Sequence, residues 1–101
     1  MPLFAIHALD GPGGADKRSV HLAAHLAHVE ARIDRYFVAG PLNDAQGQAI
    51  GSLLVVEAND EDDACAFLAE DPYAAAGLWG TIHVAAFAAA AGTAVGGVTW
   101  K

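Results

Sequence analysis

The chain has 101 residues and a formal net charge of −7, with 54% hydrophobic and 17% charged residues. This composition is too apolar for a disordered chain, and the length fits one packed domain. The excess of acidic residues disfavours binding to nucleic acids or to anionic membranes, because both depend on lysine and arginine. The single cysteine excludes an intramolecular disulfide.

The first predicted elements are a strand, a glycine-rich loop and a long helix. Residues 3–9 are almost all apolar and predict a strand, which the loop at residues 10–14 ends. From about Asp16 to Tyr36, apolar residues recur with the period of a helix. We expect the apolar face of this helix to pack on the core. It consists of Leu22, Leu26, Val29 and Ile33.

Two strands joined by a turn follow the helix. Residues 37–39 predict a short strand that stops at Gly40-Pro41, because proline has no backbone N–H to donate to a sheet. Residues 43–47 are rich in turn-forming types. Residues 51–58 contain a run of leucine and valine and predict a strong strand.

The second half of the chain predicts a helix, a strand and a tail. Asn59 or Asp60 is expected to cap a helix that ends near Glu70, with acidic residues in its first turn, where the helix dipole favours them. Residues 80–87 predict the fourth strand. We expect residues 1–88 to form the domain and residues 89–101 to be an alanine- and glycine-rich tail.

The order of these elements predicts an α+β ferredoxin-like βαββαβ fold, with a four-stranded antiparallel sheet and both helices on one face. An antiparallel sheet with one face in water should alternate apolar and polar residues. The strands at residues 51–58 and 80–87 do not, since both of their faces are largely apolar. We therefore expect a homodimer in which two sheets pack face to face.

A membrane span is not expected. The segment from Pro72 to Trp100 contains no Asp, Glu, Lys or Arg, and a span requires about 20 apolar residues. The segment is mostly Ala and Gly, however, which drive insertion only weakly. No basic stretch precedes an apolar run at the N-terminus, so we predict no signal peptide and expect a cytoplasmic location.

Three of the five histidines, His21, His25 and His28, lie close together on the predicted first helix. Histidines at this spacing can bind one metal ion. Alternatively they form a polar stripe at the border of the core. We favour the stripe, because no acidic ligand shares that face, and we expect neither a metal nor another cofactor.

A catalytic histidine needs a carboxylate that fixes its tautomer. Two carboxylates compete for His25. Asp34 would lie about 13 Å further along a continuous helix and on its opposite side. Asp71 lies beside Pro72 at a helix end, in a loop that can reach the sheet. We prefer Asp71, although structural roles for both members of the pair stay open.

Several short motifs follow one another at sensible spacing between residues 3 and 87. They are Arg18 with His25-Leu26, Ala39-Gly40-Pro41-Leu42, Gly51-Ser52-Leu53-Leu54-Val55-Val56-Glu57, Asp71-Pro72-Tyr73 and Ala76-Gly77-Leu78. Together they resemble the YCII-related family, and the tail lies outside the resemblance.

The resemblance implies a dimeric α/β barrel with a cleft between sheet and helices. It also implies an acid/base pair of His25 and Asp71, and Asp34 matches a further aspartate often seen in the family. The family often has Arg at the position of Leu22, and Arg18 is the candidate substitute in anion binding. The few members with an assigned activity remove chloride as HCl from chlorinated hydroxyaromatics.

Two functions are open from the sequence. The first is a cofactor-independent enzyme, like a dehydrochlorinase or an isomerase, that eliminates or isomerises a small cyclic or aromatic substrate. The second is a non-catalytic dimeric module that holds a small metabolite in the same cleft. The candidate substrate-binding residues are Arg18, Gly40, Pro41, Ser52 and Tyr73, with Trp79 or Phe87 as a further apolar wall.

Overall fold

The computed structural model describes residues 1–101 and has the predicted βαββαβ order, followed by a short hairpin. Strands β1 to β4 form one antiparallel sheet in the order β2-β3-β1-β4. This is the arrangement of a ferredoxin-like fold, so the predicted fold class is confirmed. The elements are β1 (Leu3–Asp10), α1 (Gly14–Ala31), a 3₁₀ turn (Ile33–Arg35), β2 (Tyr36–Asn43), β3 (Ala49–Glu57), α2 (Glu61–Ala69), α3 (Pro72–Ala75), β4 (Trp79–Phe87), β5 (Ala91–Gly92), a second 3₁₀ turn (Thr93–Val95) and β6 (Gly97–Val98).

Helix α1 ends five residues earlier than its periodicity predicted. It stops at Ala31, and the chain enters β2 at Tyr36, which pairs with Val56 of β3. Aromatic and β-branched residues at 36–38 favour a strand, and the hydrogen bonds of the sheet outweigh a further helical turn. The early end of α1 places Asp34 in an exposed 3₁₀ turn.

Strand β2 continues through Gly40-Pro41, where we had expected it to stop. Proline interrupts a central strand, but it is tolerated on an edge strand because its nitrogen can face outward. Strand β2 is such an edge. The extra residues matter because Ala39 and Pro41 stand opposite Leu54 and Ser52 of β3 and so share one face of the sheet.

The other element boundaries lie within about two residues of the prediction. The side chain of Asp60 accepts from the N–H of Asp63 and caps α2, as one of the two predicted capping residues. Asp71 caps α3 in the same way, by accepting from the N–H of Tyr73.

The core lies between one face of the sheet and the helices. Alternate residues of β1 and β3 point to this face and are buried with the apolar side of α2. The cluster contains Phe4, Ile6, Ala8, Leu54, Val56, Ala58, Ala64, Phe67, Leu68, Tyr73, Leu78 and Trp79.

The apolar face of α1 does not pack on this core, so that prediction was wrong. Leu22 and Leu26 are 47% and 49% exposed. The polar side of α1 faces inward instead, because side chains on that side bond largely buried carboxylates: His25 bonds Asp71, and Arg18 bonds Asp10. Periodicity finds an apolar face, but it does not say what that face covers.

The opposite face of the sheet is uncovered in the single chain and largely apolar. Leu53 of β3, Val38 of β2 and Phe87 of β4 are all exposed on it. His7 and His83 stand opposite each other on β1 and β4 and are its central polar residues. The homodimer that this face favours stays a prediction.

The tail forms a small hairpin in which Ala91 of β5 pairs with Val98 of β6. Its last aromatic side chain, Trp100, is 67% exposed. The boundary predicted after residue 88 stays a prediction. No helix in the structure combines the length and the apolar character that crossing a bilayer requires.

Candidate functional site

A cleft of about 300 Å³ lies between α1 and the β2–β3 half of the sheet. It exists because α1 presents its apolar side to this space instead of to the core. Strand β2 forms the opposite wall, through the extension past Gly40-Pro41 described above. The cleft is lined by Arg18, Leu22, His25, Leu26, Val29, Ala39, Gly40, Pro41, Ser52, Leu54 and Tyr73.

All five predicted substrate-binding residues and His25 therefore line one cleft. Asp71 lies behind His25. Trp79 and Phe87 do not line the cleft, which corrects that expectation: Trp79 is buried and meets the Tyr73 ring edge-on, whereas Phe87 faces the other side of the sheet. Leu22, Leu26 and Val29 supply the apolar wall in their place.

His25 is held by a buried carboxylate and an aromatic ring. Its Nδ1 lies 2.9 Å from both carboxylate oxygens of Asp71, whose side chain is 1% exposed. The imidazole stacks on the Tyr73 ring with 4.0 Å between centroids and 13° between planes. The predicted choice between carboxylates thus has a geometric answer, since Asp71 contacts His25 and Asp34 does not.

The position of Asp71 follows from the short helix α3. Asp71 precedes Pro72 at the start of α3, and its Oδ1 accepts from the N–H of Tyr73 at 2.9 Å. Proline at the first helical position fixes the backbone there. One capping carboxylate therefore orients both the imidazole and the ring on which it stacks.

The arrangement gives His25 a defined tautomer. An ionised carboxylate only accepts hydrogen bonds, so the Nδ1 of His25 carries the proton that it donates to Asp71. The Nε2 of the neutral ring then carries a lone pair. No protein group bonds this Nε2, and His25 lines the cleft, so the ring can accept a proton from a bound molecule.

A second polar group, Arg18, lines the cleft two turns before His25 on the same face of α1. The Nε and Nη2 of Arg18 donate to the carboxylate of Asp10 at 2.7 and 2.9 Å. Nη2 also donates to the carbonyl of Gly51 at 2.9 Å and to the hydroxyl of Ser52 at 3.2 Å. The hydrogen bond to Asp10 raises the pKa of Arg18 further above its ordinary value. The guanidinium lies 5.4 Å from the centroid of the Tyr73 ring.

Sequence reasoning missed Asp10. Its signal was present: an acidic residue ends β1, a glycine-rich turn follows, and an arginine occurs in the first turns of the next helix. A turn of that kind brings the end of a strand back to the side of the following helix.

The three histidines of α1 do not converge on one point. His25 bonds Asp71, whereas the ring of His28 packs at 6.0 Å on Phe67. No group of three or more His, Cys, Asp or Glu side chains is placed to hold a metal ion. The geometry therefore gives no support to the three-histidine alternative.

Tyr36 is half-buried beside this region. Burial, reinforced by the negative charge of Asp71, raises its pKa to about 12. Between about pH 10 and 12 the tyrosine of the unfolded chain loses its proton while folded Tyr36 keeps it, so stability falls as pH rises through this window. We expect the Tyr36→Phe variant to lose less stability than wild type between pH 9 and 11. Urea unfolding at both pH values measures the difference, and an equal loss in both proteins would contradict this assignment.

Comparison with known proteins places the chain in a family. A family model described as the YCII-related domain matches residues 2–88. No curated protein matches the chain. Among solved structures, the chain is similar to 5-chloro-2-hydroxyhydroquinone dehydrochlorinase (TftG) from Burkholderia phenoliruptrix AC1100, in complex with 2,5-dihydroxybenzoquinone.

The structural match is extensive. It has a TM-score of 0.78 at 32% sequence identity and covers 90% of this chain and 96% of the dehydrochlorinase. The family model spans most of the chain and includes every element that forms the cleft. The fold, the cleft-lining motifs and both comparisons agree that this protein belongs to the YCII-related family.

Proposed function

We propose that this protein is a cofactor-independent enzyme that moves a proton on a hydroxylated ring, and that its reaction is the elimination of HCl from a chlorinated hydroxyaromatic. The observation that carries the proposal is the His25–Asp71 pair at the wall of an apolar cleft. A histidine whose Nδ1 is bonded to a buried carboxylate has its Nε2 free for proton transfer.

The similarity to the dehydrochlorinase supports the substrate class. That protein acts on 5-chloro-2-hydroxyhydroquinone and binds 2,5-dihydroxybenzoquinone, two oxygenated six-membered rings. The cleft of this chain, at about 300 Å³, fits a single ring of this size. Its walls of leucine, valine and proline suit the faces of a flat ring, and its polar groups suit the edge.

The proposed reaction needs no external oxidant. A chlorinated hydroquinone has two ring hydroxyls and one C–Cl bond. One hydroxyl proton moves to the chlorine-bearing carbon, and the second leaves as the C–Cl bond breaks and chloride departs with its electron pair. The hydroxyls become carbonyls and C–Cl becomes C–H, so the product is a quinone and the only other product is HCl.

His25 can carry out both proton transfers. Its Nε2 accepts a hydroxyl proton and can return it to the ring carbon, while Asp71 stabilises the charged imidazole in between. Arg18 and Ser52 also line the cleft, next to each other, and can hydrogen-bond a ring oxygen whose negative charge grows during the reaction. Stacking on the Tyr73 ring fixes the orientation of the imidazole plane.

The test is chloride release from 5-chloro-2-hydroxyhydroquinone. The purified protein, treated with EDTA, is incubated with the substrate without oxygen, and chloride is measured by ion chromatography while absorbance follows the quinone. We expect chloride and quinone to appear in equal amounts at a rate that scales with protein concentration. Release no faster than in buffer would overturn the proposed reaction and favour the non-catalytic binding module.

We also propose that the working unit is a homodimer formed through the uncovered face of the sheet. Leu53 lies in the middle of this face, and a charge buried in an apolar interface is costly. We expect wild-type protein to sediment as a dimer and the Leu53→Asp variant as a monomer. Val20→Asp is the control, because Val20 is 74% exposed on α1. A Leu53→Asp protein that remains dimeric would exclude this face as the interface.

A further inference from the structure

The carboxylate of Asp10 occupies one paired edge of the Arg18 guanidinium. Asp10 sits at the end of β1 with a side chain only 9% exposed, and it takes the Nε and Nη2 groups of Arg18 together. This is the paired geometry that arginine otherwise uses to hold a carboxylate or phosphate of a ligand.

The remaining donors of Arg18 can be counted. A guanidinium has five N–H groups. The N–H of Nε faces Asp10, and the two N–H groups of Nη2 are shared among three acceptors: the Asp10 carboxylate, the Gly51 carbonyl and the Ser52 hydroxyl. Nη1 donates none of the four hydrogen bonds of Arg18, although the guanidinium also interacts with the Tyr73 side chain, and Arg18 lines the cleft. Neither edge of the guanidinium therefore offers two free, parallel donors.

Ser52 adds one donor beside the guanidinium of Arg18. Its oxygen accepts from Arg18, which leaves the hydroxyl proton free to donate, and Ser52 also lines the cleft. Donors from two different residues suit a single oxygen atom that accepts from both. They do not reproduce the flat, parallel pair of donors with which a guanidinium binds a carboxylate most strongly.

We propose that Asp10 is a positioning and specificity-determining residue: by holding the paired edge of Arg18, it restricts this end of the cleft to a single ring oxygen, a hydroxyl or a keto group, and disfavours ligands that carry a carboxylate or phosphate there. The proposal rests on the proposed function, from which it takes the ring-shaped ligand. It predicts discrimination between ring ligands that carry only hydroxyl or keto oxygens and those that also carry a carboxylate.

The test compares two probe ligands by isothermal titration calorimetry. The first is 2,5-dihydroxybenzoquinone, which carries only ring oxygens. The second is 2,5-dihydroxybenzoate, which keeps two ring hydroxyls and adds a carboxylate. We expect the wild-type protein to bind the quinone at least about tenfold more tightly, as the loss of one charge-assisted hydrogen bond would cause.

The decisive variant is Asp10→Asn. It preserves the shape of the side chain but removes its charge and one acceptor, which frees the paired edge of Arg18. We expect the preference for the quinone to shrink by at least about fivefold, mainly through tighter binding of the benzoate. Asp34→Asn is the matched control, because it removes the same charge from an exposed turn outside the cleft. Its preference should equal that of wild type.

A second variant keeps the test decisive if Asp10→Asn does not fold. Arg18→Gln should weaken quinone binding about tenfold and leave benzoate binding nearly unchanged, since wild-type Arg18 gives the carboxylate no paired contact. The proposal is overturned if wild type prefers the benzoate, if folded Asp10→Asn keeps the wild-type preference, or if Arg18→Gln weakens the benzoate more than the quinone.

These outcomes are separable from those of the proposed reaction, because calorimetry needs no turnover. If no chloride is released but Asp10→Asn changes the preference for the quinone, the role of Asp10 is supported and the proposed reaction is wrong. If chloride is released but Asp10→Asn keeps the wild-type ligand preference, only the proposed role of Asp10 is wrong.

Discussion

The His25→Ala variant is expected to lose chloride-releasing activity by about 10²–10⁴-fold, the usual contribution of a positioned acid/base group. His25 is the cleft residue with a free ring nitrogen and a buried carboxylate behind it. The fold should survive, because alanine favours a helix and Asp71 keeps the N–H of Tyr73 as a partner. We expect the free energy of unfolding to fall by about 1–3 kcal/mol, since one buried hydrogen bond is lost.

The control for this variant is His21→Ala. His21 lies one turn earlier on α1 and does not line the cleft. It should keep wild-type activity, measured as chloride release under the same conditions. Far-UV circular dichroism shows whether both variants are folded. A folded His25→Ala protein with activity near that of wild type would exclude His25 as the proton-transfer group. If wild type releases no chloride and His25→Ala only weakens ligand binding, the protein is a binding module.

The Asp71→Asn variant is expected to lower kcat by about 10³–10⁴-fold with little change in KM. The amide oxygen can still cap α3, but the amide nitrogen then faces the Nδ1 of His25 and donates to it. Because Nδ1 then lies between the amide oxygen and an amide N–H that replaces the second carboxylate oxygen, we expect the proton of the neutral imidazole to shift to Nε2, where the lone pair is needed. The geometry is preserved and the tautomer is reversed, so the loss falls on the chemical step.

The tautomer itself can be measured. Nitrogen NMR of labelled protein should show the proton of neutral His25 on Nδ1 in wild type and on Nε2 in Asp71→Asn. Asp34→Asn is the control and should match wild type in tautomer and in kcat. Asp71→Ala is less informative, because it removes the cap of α3 and is expected to cost about 1–2 kcal/mol of stability in addition. An unchanged kcat in Asp71→Asn would assign Asp71 a structural role only.

The elements that the sequence predicted best are those whose signals are local. The run of valine and leucine at residues 51–58 gave β3 to within two residues, and the acidic cluster after Asp60 gave the start of α2. Strand propensity and helix capping depend on neighbours a few residues away, so one sequence is enough to read them.

The candidate site was predictable in part. The order of motifs shared with the YCII-related family identified the residues that the structure brings to one cleft, and the choice of Asp71 over Asp34 followed from helix geometry. Asp10 was missed because a turn separates it from its partner Arg18. Two residues on either side of a turn have no fixed spacing in sequence, unlike residues on one face of a helix or strand.

What the sequence determined by itself is the order and type of the strands and long helices up to β4 and the ferredoxin-like topology. What only the tertiary structure decided is the orientation of α1. Its leucines form a regular apolar face in the sequence, yet this face lines an open cleft. The polar side chains next to this face turn inward because His25 and Arg18 bond largely buried carboxylates at the start of α3 and at the end of β1. Periodicity records which side chains share a side of a helix, whereas the partners that hold a side in place come from distant parts of the chain.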